Sequence, residues 1–119
     1  MTEENDALVG QVRKNIEIAY SRIQVNIGVA SNLMKQNIEM ASNLMKQNIE
    51  TISSSMKYLS SMSGSLKDQA DTQIDKTKNE MLVMADKTKN EMLVMADKTK
   101  NEMSAAAQRV KDNLSTVGL

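Results

Sequence analysis

The side chains of this chain that could do chemistry are carboxylates, lysines and methionines. Asp75, Asp86 and Asp97 each stand three positions before a lysine, and the 119 residues include 11 methionines but no histidine or cysteine. Carboxylates and lysines at this spacing form ion pairs on a helix surface. The methionines could form a redox reservoir or a metal-binding stripe, but thioethers are more typical of soft packing groups that fit irregular interfaces. The pattern therefore predicts no catalytic residue, no metal site and no cofactor.

The residue types that are missing, together with the charge balance, exclude further classes of function. Without cysteine and histidine, a chain has no disulfides, and it lacks the commonest metal ligands and proton shuttles. Fifteen basic residues balance fifteen acidic ones, whereas a nucleic-acid-binding domain shows a basic excess or stripe. No glycine-rich phosphate-binding loop occurs. We expect neither a nucleic-acid partner nor a small-molecule substrate.

The amino terminus and the apolar runs bear on location. The amino terminus, residues 1–6, is acidic and carries no apolar core segment, which is not the pattern of a secretory signal. No apolar run approaches the roughly 18 residues of a membrane span. We expect a cytoplasmic protein, with peripheral attachment to membranes as the alternative.

An 11-residue repeat dominates the sequence. Residues 30–39 recur unchanged at 41–50, and residues 75–85 recur at 86–96. Eleven residues make three helical turns at about 3.67 residues per turn, so the repeat predicts a nearly straight stripe or a right-handed supercoil. We therefore predict an all-α fold built from a long amphipathic helix in a right-handed coiled coil or other helical assembly. One column of the repeat reads Leu8, Ala19, Ala30, Ala41, Ile52, Ser63, Ile74, Ala85, Ala96 and Ala107.

Composition divides the chain into four segments. They are a tail at 1–7, a hendecad helix at 8–56, a Ser- and Gly-rich weak point at 57–65 and a second hendecad helix at 66–117. A helical hairpin that breaks near Ser63-Gly64 is one interpretation. The repeat keeps its phase across this point, however, and this favours a single helix, which at 1.5 Å per residue would be on the order of 170 Å long.

Asparagine repeats within the apolar arc of the first half. Asn15, Asn26, Asn37 and Asn48 are 11 residues apart. A buried Asn without a partner costs about 1–3 kcal/mol, whereas Asn facing Asn across an interface fixes register and oligomer state. The alternative is half-exposed asparagines at the edge of the stripe. The predicted self-association stripe is Ala19, Ile23, Asn26, Ala30, Leu33, Met34, Asn37, Ile38, Ala41, Leu44, Met45, Asn48, Ile49, Ile52, Met81, Met84, Ala85, Met92, Met95, Ala96 and Met103.

Lysines stand at both edges of an apolar stripe in the second half. With Thr77 at the centre of the stripe, Lys76 and Lys78 lie about 98° to either side. Lysine stems can lie along an apolar surface and lift the ammonium group into water. The arrangement suits a helix in a lipid headgroup region and equally a coiled-coil seam with charged flanks. The possible lipid-flanking residues are Lys76, Lys78, Lys87, Lys89, Lys98 and Lys100.

The motif Lys76-Thr77-Lys78, repeated at 87–89 and 98–100, resembles the KTKEGV-type 11-residue repeat of the synucleins. Perilipins and group 3 late embryogenesis abundant proteins carry related repeats. The resemblance covers residues 75–103. It implies a chain that is disordered in water and becomes helical on anionic membranes, on lipid droplets or on drying.

Energetics require a second surface for such a helix. One hendecad buries perhaps four apolar side chains, at about 1.5–3 kcal/mol each, and ordering its backbone costs roughly 1–2 kcal/mol per residue. The first hypothesis is a non-enzymatic structural protein that self-associates into a coiled coil, bundle or filament. The second is a peripheral helix that binds a membrane or lipid droplet, and a desiccation protectant is a third.

Overall fold

The computed structural model describes residues 2–62 and 64–116, and this part of the chain is helical without strands. Helix α1 spans Glu3–Ser60, a 3₁₀ helix spans Gly64–Leu66 and helix α2 spans Lys67–Thr116. The prediction of an all-α fold is confirmed.

Helix α1 begins with a polar cap. The backbone N–H of Asn5 donates to Oγ1 of Thr2 at 3.2 Å, which satisfies one of the N–H groups left over at a helix start. Glu3, Glu4 and Asp6 place negative charge in the first turn, where the helix dipole favours it. The prediction of a tail at 1–7 is therefore wrong for residues 3–7, which belong to α1.

The helix is interrupted between Ser60 and Gly64, so the prediction of a single unbroken helix is wrong. Helix α1 ends at Ser60, where the N–H of Met62 bonds the carbonyl of Leu59 at 3.2 Å in a tighter turn. Gly64 follows with a φ of +68°, which a glycine adopts without steric cost. The break predicted near Ser63-Gly64 is confirmed at Gly64, and Ser63 lies outside the described residues.

Two compact units make up the chain. We call residues 35–94 the hairpin unit, and residues 1–34 with 95–119 the terminal unit. In the hairpin unit the helices run antiparallel, since Lys57 pairs with Asp75 near the turn while Glu39 pairs with Lys89 far from it.

A narrow seam holds the hairpin unit together. Serine and alanine are small enough to let two helix backbones approach closely, and isoleucine fills the space between them. Along α1 the buried positions alternate at spacings of four and seven residues, which is the hendecad pattern. The buried residues are Ile38, Ser42, Ile49, Ser53 and Ser60 from α1 and Ala85 from α2. No described side chain of this unit is more than 98% buried, so the seam is shallow.

The terminal unit has a similar seam with polar links. Ile27, Ser31 and Ala96 are buried. The hydroxyl of Tyr20 donates to Oε1 of Gln108 at 2.5 Å. Nζ of Lys111 lies 4.6 Å from the centroid of the Tyr20 ring, within reach of a cation–π interaction. These contacts fix an antiparallel register at 20 against 108.

Candidate interaction grooves

The hairpin unit leaves an apolar groove open beside its seam. Its volume is about 110 Å³. Met56 and Met81 line it from the two helices with exposed fractions of 49% and 42%. Around its helix axis, each methionine is adjacent to a seam residue. The opposite helix nevertheless leaves the methionine side chain exposed. The groove is lined by Ile49, Ile52, Ser53 and Met56 of α1 and by Gln73, Ile74, Thr77, Lys78 and Met81 of α2.

A second groove lies in the terminal unit and is larger, at about 450 Å³. Ala19 and Ala106 line it, and these short side chains leave space that larger residues would fill. Ile23, Met103 and Val110 line the same groove and are 47%, 49% and 59% exposed. The groove is apolar enough to receive a hydrophobic side chain from another surface.

Ion pairs occupy another side of the hairpin unit. Nζ of Lys78 lies 2.8 Å from a Glu50 carboxylate oxygen, and Nζ of Lys57 lies 2.6 Å from one of Asp75. Glu50 lies about 130° around α1 from Met56, on the 11-residue angular scale. The unit is therefore amphipathic, with a charged side and an apolar side.

These pairs cross between helices. The sequence predicts pairs within α2, such as Asp86 with Lys89. In the structure Asp86 pairs with Lys46, and Lys89 pairs with Glu39 at 2.9 Å. The prediction missed them because only the antiparallel arrangement brings the two helices' charges together.

The ion pairs shift the pKa values of their members. The hydrogen bond from Lys46 lowers the pKa of Asp86. The pKa of Asp71 is also lowered, first by the hydrogen bond from Lys67 and then by that from Ser60. The carboxylate of Asp75 raises the pKa of Lys57. All of these groups are solvated, so the pairs hold register more than they add stability.

Four of the 21 residues of the predicted self-association stripe are buried in the seams. They are Ile38, Ile49, Ala85 and Ala96. The others are exposed: Ala19, Ile23, Asn26, Ala30, Leu33, Met34, Asn37, Ala41, Leu44, Met45, Asn48, Ile52, Met81, Met84, Met92, Met95 and Met103. Most of the stripe is thus exposed in the described part of the chain.

The asparagine column lies outside both seams. Asn15, Asn26, Asn37 and Asn48 are all exposed. Nε2 of Gln11 donates to Oδ1 of Asn15 at 3.0 Å along α1. The pairing of Asn with Asn across a helix interface stays a prediction, because the monomer does not bring these side chains together.

The predicted lipid-flanking lysines fall into two groups. Lys78 and Lys89 bind Glu50 and Glu39 on the charged side. Lys76, Lys87 and Lys98 are exposed, and Lys100 is half-buried. Two lysines on one edge of the predicted stripe thus pair with carboxylates of α1, whereas those on the other edge are exposed to solvent.

The sequence-based stripe omits buried Ile27 and a column of buried serines. Ser31, Ser42 and Ser53 are 11 residues apart, each four residues after a buried isoleucine. Oγ of Ser31 and Oγ of Ser42 have no hydrogen-bond partner, whereas Oγ of Ser60 donates to Asp71 at 2.7 Å. The 11-residue spacing is the signal that could have found this column, despite its polar residue type.

The described residues form an all-α structure of paired amphipathic helices with open apolar grooves. No cluster of histidine, cysteine or acidic residues that could hold a metal ion occurs within 2–62 and 64–116. Over the same residues, no helix is long and apolar enough to span a membrane. Comparison with protein-family models, with curated proteins and with solved structures gives no match to this chain. The resemblance of residues 75–103 to synuclein-type repeats stays a prediction.

Proposed function

We propose that this chain is a non-catalytic structural protein that associates with copies of itself through its apolar grooves. The observation that carries the proposal is the contrast between a narrow Ile/Ser/Ala seam and the large apolar residues left exposed beside it. Burial of one such side chain is worth about 1.5–3 kcal/mol. Covering several of them in a groove offsets the cost of bringing two chains together.

Charge and the asparagine column support a second copy as the occupant. The formal net charge is zero, so two copies do not repel each other at long range. Asn37 and Asn48 are exposed and lie about 65° around α1 from Met45. At an interface between two copies of α1, amide side chains at these positions would satisfy each other and set the register.

The geometry of association has two forms. If two copies pair with the same surface, the interface closes and gives a discrete bundle. If the surfaces are offset, further copies add and a filament results. The absolute mass of the assembly, measured over a range of concentrations, distinguishes the two.

The test is sedimentation velocity of the full chain over about a hundredfold concentration range, with a matched pair of variants. Met56→Glu places a charge in the hairpin-unit groove, and we expect it to weaken association by at least about tenfold, since a charge is costly to bury. Gln47→Glu introduces the same charge at an exposed position across α1, and we expect it to associate like the wild type. A wild-type chain that stays monomeric throughout would contradict the proposal.

A lipid surface is the second candidate, and one observation favours it. Val83, Met84, Val94 and Met95 are 66–68% exposed on α2, and Lys76 is exposed on the same helix. Helicity would be measured with anionic and with zwitterionic vesicles. A gain with anionic vesicles alone, in a chain that is monomeric in buffer, would favour this candidate over self-association. The cytoplasmic location expected from the sequence belongs to the same proposal, and cell fractionation would test it.

A further inference from the structure

The methionines of this chain are segregated from its seams. Every methionine that the structure describes is exposed, with fractions from 42% at Met81 to 67% at Met84. The buried residues are isoleucine, alanine and serine. Met56 and Met81 line the hairpin-unit groove, and Met103 lines the groove of the terminal unit. The thioethers therefore belong to the surface that a second copy would cover, and not to the packing within each unit.

Methionine is also the chain's main target for mild oxidation. The sequence has no cysteine, tryptophan or histidine. A peroxide transfers one oxygen atom to the thioether sulfur. The sulfur is oxidised to a sulfoxide, the O–O bond breaks, and the peroxide is reduced to water or an alcohol. The product side chain is polar, and the change is reversible by methionine sulfoxide reductases.

We propose that the groove methionines are oxidation sites through which peroxides dissociate the assembly while leaving the helical units folded. This inference rests on the proposed self-association. Oxidation adds a polar S=O group to the lining of each groove, and covering that group without a hydrogen-bond partner is unfavourable. Among the described residues the seams hold no methionine, so we expect the seam contacts within each unit to survive oxidation.

The experiment uses the full chain, hydrogen peroxide as the oxidant and mass spectrometry to count the oxygen atoms added. Sedimentation velocity measures association, and far-UV circular dichroism measures helicity. We expect oxidation to weaken association by at least about tenfold, because several thioethers lose the free energy of apolar burial. The oxidised chain should have the spectrum that the untreated chain shows when diluted to monomer. Treatment with the two methionine sulfoxide reductases, one for each sulfoxide epimer, should restore both mass and association.

A matched variant identifies the responsible sites. Replacing Met56, Met81 and Met103 with Leu keeps apolar side chains of similar volume in the grooves. Replacing Met40, Met62 and Met84, which line neither of the two grooves described, serves as the control. We expect peroxide to dissociate the control as it does the wild type, and to leave the groove variant largely assembled.

The outcomes separate this inference from the proposed function. An untreated chain that is monomeric at all concentrations overturns both. An untreated chain that associates, and still associates equally after full oxidation, overturns only the role of the methionines. Loss of most helicity on oxidation, below the level of the diluted chain, would mean that the thioethers hold the units together, and this also overturns the inference.

Discussion

At the scale of the residue, the buried serines decide how tightly the helices pair. A hydroxyl that is buried without a partner costs about 1–3 kcal/mol, and Oγ of Ser31 and Oγ of Ser42 are in this state. By contrast, the hydroxyl of Ser60 donates a hydrogen bond to the carboxylate of Asp71. The seams thus hold small side chains that allow the helices to approach closely, while two of the buried serine hydroxyls lack a hydrogen bond.

Removing the two unpartnered hydroxyls is expected to stabilise the protein. We predict that Ser31→Ala with Ser42→Ala raises the free energy of unfolding by on the order of 1 kcal/mol per site, because no hydrogen bond is lost. Ser54 and Ser55 are exposed in the same helix, so their replacement by Ala reports helix propensity alone. Urea denaturation of both doubles gives the comparison. Equal gains in the two doubles would show that the buried hydroxyls carry no penalty.

At the scale of the element, the turn depends on one backbone conformation. Gly64 has a φ of +68°, and a Cβ built there would meet nothing within 4 Å. The cost of a side chain at this position is therefore conformational and not steric contact. Helix α1 has acidic residues in its first turn and Lys57 in its last turn, and α2 has Asp68 in its first turn.

We predict that Gly64→Ala destabilises the hairpin unit by about 1–2 kcal/mol, since an L-residue is disfavoured at positive φ. Gly28→Ala is the matched control. Gly28 lies inside α1 and also has open space around a built Cβ, so alanine should stabilise the helix there by about 0.5–1 kcal/mol. Thermal melts followed by circular dichroism should give shifts of opposite sign. A rise in Tm for both variants would contradict the turn geometry.

Ion pairs between the helices, and the pair of Lys67 with Asp71 within α2, make the stability of the hairpin unit depend on pH. The pKa values of Asp71 and Asp86 lie below their ordinary value of 3.8, so their contribution is present above that pH and is lost as pH falls through the lowered values. The pKa values of Lys57 and Lys89 lie above 10.5. Their contribution is therefore complete below that pH and is lost as pH rises through the raised values.

We predict a plateau of Tm between these limits and a fall on both sides. Asp71→Asn with Asp86→Asn should lower Tm at neutral pH and flatten the acid limb, because these carboxyls no longer change charge. Melts between pH 7 and pH 3 measure this difference. The same loss of Tm in the double variant and the wild type would show that the two carboxylates do not contribute to the acid limb.

At the scale of the whole molecule, the asparagine column is expected to select how copies meet. We predict that Asn37→Leu with Asn48→Leu strengthens association and broadens the distribution of assembly sizes, because a polar layer fixes oligomer state at a cost in stability. Asn32 and Asn43 are exposed on α1 outside this column. Their replacement by Leu adds the same apolar area at other angles. Sedimentation profiles that are unchanged in the first double, or altered equally in both, would remove the column from the interface.

The sequence alone determined the helical class and the amphipathic character of this protein. Helix formation depends on local backbone geometry, which the order of the residues determines. The hendecad repeat, the absence of proline and the scarcity of glycine all favour a helix in this local way. The cap at Thr2 and the acidic residues after it were equally local. The prediction of a tail at 1–7 did not use them, because the hendecad repeat by itself places the start of the helix at residue 8.

Only the tertiary structure decided which columns are buried. Periodicity fixes the angles of side chains around a helix, but it does not say which angle faces a neighbour. The column containing Ala30 and Ala41 is exposed on α1, while Ala85 and Ala96 of the same column are buried on α2. Because the chain reverses after Ser60, the two helices bury different columns of the repeat. The constant phase of the repeat therefore did not predict whether the chain turns. The exposed apolar side chains follow from that choice, because two helices paired along a narrow seam cannot cover stripes this broad.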